Sequence, residues 1–119
     1  MSNADRNRPS YLPAGPLAVA GSIVYVSGEL TGDVTLSADY PNICKLDPGG
    51  SNRDVTLDAE AVSKGLVRWI VNAASGAENL VVKDDGGSTI ATLNQNEEGI
   101  FSCDGSSWIL VRIATIALA

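Results

Sequence analysis

Histidine is absent from this 119-residue chain, which removes the usual general base, the commonest transition-metal ligand and every Ser-His or Cys-His pairing at once. Cations are few. Eight Lys and Arg against fourteen Asp and Glu leave a net charge of −6, a field that repels phosphate backbones and anionic membrane surfaces, so neither nucleic acid nor a membrane is an expected partner. Cysteine is limited to Cys44 and Cys103, each inside an apolar strand candidate. That placement favours two buried thiols over a disulfide and is compatible with folding in a reducing cytoplasm. Two Trp, three Tyr and one Phe make a poor stacking platform for sugars. No apolar run approaches the ~20 residues that span a bilayer, and the opening M-S-N-A-D-R-N-R-P-S lacks the apolar stretch of a signal peptide.

What is present reads as β-structure in a single domain, long enough to bury roughly two thirds of the surface its unfolded form exposes. Residues 1–16 carry Pro9, Pro13 and Pro16 without helical or strand periodicity, and are expected to form an extended N-terminal arm. The domain proper is expected over residues 17–119. It opens on L-A-V-A-G-S-I-V-Y-V-S, two strand segments or one bent at Gly21. In G-D-V-T-L-S, Val34 and Leu36 share one face, and D-V-T-L recurs at positions 54–57; convergence of two similar strands explains this at least as well as duplication. Residues 58–65 allow two helical turns at most, with Asp58 as cap and Gly65 as stop.

The densest apolar run, residues 66–72 with Trp69 inside it, is expected at the centre of an antiparallel sheet. Residues 80–83 and 88–93 should form a hairpin across D-D-G-G, and residues 99–103 and 107–113 a second across D-G-S-S. Trp108 is expected to cover one end of the core. The chain stays apolar to its last residue, which favours Ile116 and Leu118 as residues covered by another subunit. Eight to nine short strands at this spacing match an all-β antiparallel sandwich or jelly roll, with a closed barrel as the alternative.

Chemistry is sparse. Asp33, Asp39, Asp47, Asp54, Asp58, Asp84, Asp85 and Asp104 lie mostly at strand ends or in turns, where Asp belongs for conformational reasons, so a glycosidase-like carboxylate pair is not expected. Asp84, Asp85 and Asp104 do not follow calcium-loop spacing, and Gly86-Gly87 opens no helix that would cradle a phosphate. No catalytic residue, metal or cofactor is assigned.

Four runs, D-Y-P-N-I-C-K-L-D-P-G-G-S-N-R-D-V-T-L, K-G-L-V-R-W-I-V-N, K-D-D-G-G-S-T-I-A-T-L and C-D-G-S-S-W-I-L-V, resemble a small β-rich module of tailed-bacteriophage structural proteins. The module is similar to that of capsid decoration (cement) and head-fibre proteins and of tail-fibre domains. The shared positions are turn and core residues. The resemblance implies a non-enzymatic virion protein on the outer capsid surface, a homotrimer with the major capsid protein as partner, made in the bacterial host cytoplasm. In that setting Arg6, Arg8, Tyr11 and Leu12 of the arm would grip the shell, arginine pairing with acidic loops while Tyr11 and Leu12 fill shallow pockets. The alternative is a tail-fibre or host-surface carbohydrate-recognition module using Tyr11, Tyr40 and Trp108, with Tyr25 and Phe101 in strands. A plain oligomerisation domain of another assembly is a third possibility.

Overall fold

β-branched segments punctuated by Gly, Asp and Pro turns fold, in a computed structural model that describes residues 24–117, into nine strands. They are β1 (Val24–Glu29), β2 (Val34–Thr35), β3 (Ile43–Asp47), β4 (Arg53–Thr56), β5 (Val67–Asn72), β6 (Leu80–Lys83), β7 (Thr89–Leu93), β8 (Glu97–Cys103) and β9 (Trp108–Thr115). One sheet has the order β1-β3-β5-β8-β9 and the other β2-β4-β6-β7. From β1 to β6 the chain alternates between the two sheets, and each return lays a strand beside the one placed there a coil earlier. A strand that leaves for the opposite sheet and comes back runs in the same direction, so these neighbours are parallel.

This corrects the antiparallel expectation. The β1/β3, β2/β4, β3/β5 and β4/β6 ladders are parallel, and only β5/β8, β6/β7 and β8/β9 are antiparallel. The fold is β-rich, with two mixed sheets and no α-helix among the described residues. Alternating burial looks the same in a parallel and an antiparallel strand, which is why the pattern located strands without fixing their directions.

The repeated D-V-T-L marks two successive coils. Val34 pairs with Val55 and Thr35 with Thr56, while the Asp54 N–H donates to Asp33 Oδ1 at 2.9 Å across 21 residues. The Leu36 N–H donates to the Thr56 carbonyl, and the Leu57 N–H to the Lys83 carbonyl of the third coil, both at 2.8 Å. Between the second and third coils a contact of the same kind, Asn79 N–H to Asn52 Oδ1, spans 27 residues and sits two positions earlier along the strands. The longer coil carries the Glu60–Val62 3-10 turn. Asp58 does not cap that turn, whose N-cap is Ala59 with no side-chain hydrogen bond.

Both hairpins form where the turn chemistry places them. Asp84 Oδ1 accepts the Ser88 N–H and Gly87 has φ 94°; Asp104 Oδ1 accepts the Ser106 and Ser107 N–H groups and Gly105 has φ 97°. The buried residues of both sheets form one cluster. Cys44 and Leu46 enter it from β3, Ile70 from β5, Leu80 and Val82 from β6, Leu93 from β7, and Phe101 and Cys103 from β8. Full burial of a Leu or Val side chain contributes roughly 1.5–3 kcal/mol relative to exposure. Both cysteines are buried free thiols, and Trp108 is 7 % exposed at the cluster, donating its indole N–H to the Asp58 carbonyl at 2.8 Å.

Candidate functional site

Strand β5 sets the two faces of the five-stranded sheet. Arg68, Ile70 and Asn72 turn inward and are buried, while Val67 and Trp69 face solvent. The densest apolar run in the sequence therefore sends an arginine into the core and its tryptophan out of it.

Arg68, 1 % exposed, is fully committed to structure. Its Nε and Nη2 donate to the two carboxylate oxygens of Asp58, each at 2.9 Å. Nη2 also donates to the Ser37 carbonyl at 2.7 Å, and Nη1 to the carbonyls of Tyr40 at 3.0 Å and Pro41 at 2.6 Å. The five N–H donors of a guanidinium are thus all engaged. One side chain ties the β2–β3 loop and the β4–β5 loop to the sheet. A buried arginine in a run of apolar residues, at the parity of Ile70, was the signal available in the sequence for this centre.

Over this pair lies a groove of about 710 Å³, with Tyr40, Asn42, Val62, Lys64 and Leu66 among its lining residues. Val62 is 84 % exposed there. The Asn42 amide donates to the Val67 carbonyl at 2.9 Å.

The outer face of the five-stranded sheet is the second surface. In one row across it Trp69 is flanked by Ile43 on β3 and Ile100 on β8; in the next Val71 is flanked by Lys45 and Glu98. The Trp69 indole N–H donates to Glu98 Oε1 at 2.9 Å, which fixes the ring against the sheet. On the edge strand β9, Ile109 and Arg112 continue this face beside Ser102 and Ile100, whereas Leu110 and Ile113 pair with the inward-facing Phe101 and Gly99 and are exposed along the other face of the edge. Val111 is the extra residue at the β8/β9 register shift between Ile100 and Phe101.

Of the residues assigned from the sequence, Arg6, Arg8, Tyr11, Leu12 and Leu118 lie outside the described residues, as does the boundary at residues 16 and 17. Ile116 is half-buried, and its N–H donates to the Asn96 carbonyl at 2.8 Å, extending the chain along β8 beyond β9. Tyr40 lines the groove, whereas Trp108 is buried and cannot serve as an exposed sugar platform. The aspartates shape turns or pair internally: Asp33, Asp47, Asp84 and Asp104 accept backbone N–H groups, and Asp54 pairs with Lys83 at 2.9 Å. Among the described residues no group of three or more Cys, Asp or Glu is placed to hold a metal ion, and no helix is long and apolar enough to cross a membrane. The Ser106 and Ser107 N–H groups hold the Asp104 carboxyl below its ordinary value, and burial pushes the Cys44 thiol up.

Compared with known proteins, the chain matches no protein-family model, no curated protein and no solved structure.

Proposed function

We propose that the chain is a non-enzymatic structural protein that works by covering and joining surfaces, in the role of a decoration protein on the outside of a phage capsid. In this reading the two mixed sheets are the layers of a β-sandwich, and the major capsid protein is the partner. The observation that carries it is the apolar outer face of the five-stranded sheet together with the apolar edge strand β9, where Val67, Trp69, Ile109 and Val111 are 37–58 % exposed. Contiguous apolar surface of this kind marks association. The most elaborate polar centre, Arg68 with Asp58, supports the same reading because every guanidinium donor is engaged inside the fold. A copy that bridges capsid subunits adds its binding energy to the closed shell, and many copies on a rigid lattice act together. Deletion of residues 2–13 tests the arm: the truncated protein should keep its melting behaviour and lose capsid binding. Decoration to saturation by the truncated protein would refute the gripping role of Arg6, Arg8, Tyr11 and Leu12.

The groove favours a second reading, a host-surface carbohydrate-recognition module with Tyr40 as its aromatic contact. Binding to a glycan array that disappears in Tyr40→Ala would support it, and an array without signal would remove it.

A further inference from the structure

We propose that the outer face of the five-stranded sheet stacks against a second copy of this chain, about a two-fold axis running along β5. The inference rests on the reading of this face as an association surface, and it names the occupant and the contact. Across its three central strands, β3, β5 and β8, the face is self-complementary about β5. Trp69 has isoleucine on both sides, Ile43 on β3 and Ile100 on β8, while Val71 has Lys45 on the β3 side and Glu98 on the β8 side. The two flanking strands lie at equal distances from β5, about 4.8 Å each. A two-fold parallel to β5 carries the β3 side of one copy over the β8 side of the other. Isoleucine then meets isoleucine across the interface, the two Trp69 rings meet near the axis, and each Lys45 meets the carboxylate of the other copy's Glu98.

Charge selects this occupant. On the three central strands an apolar centre has one cation and one anion set symmetrically beside it and matches its own image, with Arg112 on the edge strand β9 outside that centre. A partner of uniform charge leaves one of the two central charges against a like charge. Lys45 has no ion pair among the described residues. Glu98 is held over the face by the Trp69 indole. Face-to-face packing of sheets about 10 Å apart accommodates side chains of these sizes.

The test is the mass of the full-length chain by light scattering across the micromolar range, for the parent and four variants. The parent should give two chains per particle, and Trp69→Ser one, with the same circular dichroism. Lys45→Glu and Glu98→Lys should each weaken association on the order of tenfold, because each sets like charges together twice per interface. The double variant Lys45→Glu/Glu98→Lys should regain the parent's association. A monomeric parent, an assembly indifferent to both reversals, or a double variant no tighter than the singles would overturn the inference. A three-chain species that survives both reversals would place the contact elsewhere and overturn it as well. The measurement needs no capsid, so its failure is separate from failure of the decoration reading.

Discussion

Arg68 and Asp58 carry the largest single-residue consequence in the molecule. Replacing Arg68 with Met leaves a buried carboxylate and three loop carbonyls without their donor, and should cost about 3–5 kcal/mol in urea unfolding. Gly99 is a second sensitive position, since a Cβ there would sit 2.8 Å from the Phe101 ring and 3.0 Å from Leu93, both in the core. Gly99→Ala should destabilise by about 1–3 kcal/mol through overpacking, measured the same way. Cys44 makes a pH-dependent prediction. Burial raises its thiol above the ordinary 9.0, the nearby Arg68 cation opposing and Asp58 adding to the rise. The folded state therefore keeps a proton that the unfolded chain releases, so this contribution to stability is intact below pH 9.0 and declines as pH rises through the folded value. Native protein at pH 8 should resist thiol alkylation until it unfolds. At this scale the sequence was partly legible: the strand positions of Cys44 and Cys103 foretold buried thiols. The sequence reads Asp58 as a helix cap, whereas its partner Arg68 lies ten residues away on another element, beyond what local spacing shows.

Among elements, what was legible depended on how local the determining physics is. The two tight hairpins could be read because Asp and Gly at fixed offsets satisfy the turn within a few residues. The Asp104 turn is correspondingly testable. Its carboxyl lies below the ordinary 3.8, so its contribution is present above that pH and is lost as pH falls through the folded value; Asp104→Ala should lower the melting temperature at neutral pH and leave it unchanged in strong acid. The parallel coils could not be read from alternation, which is blind to strand direction. Their trace was the D-V-T-L repeat, whose copies stack in register as neighbours. Leu36 and Leu57 occupy the same step of successive coils and are both buried, so Leu36→Ala and Leu57→Ala should each cost about 2–5 kcal/mol in equilibrium unfolding. The apolar run of β5 gave its position correctly and its orientation not at all, since Arg68 inward and Trp69 outward follow from the loops that Arg68 binds.

For the whole molecule, the proposed role joins composition to fold. The proposed surface-binding role draws on an acidic, histidine-free composition, a buried Arg68–Asp58 centre whose guanidinium donors are all engaged, and exposed apolar residues on the five-stranded sheet. The trimer implied by the resemblance and the two-fold pair inferred from the outer face are different assemblies, and the mass of the free protein separates them. The proposed role on a phage shell is tested most directly by the copy number of this chain in purified particles, taken by quantitative mass spectrometry with the major capsid protein as internal standard. A decoration protein predicts hundreds of copies per particle; a few to tens would place the chain on the tail, and none would contradict a virion role altogether.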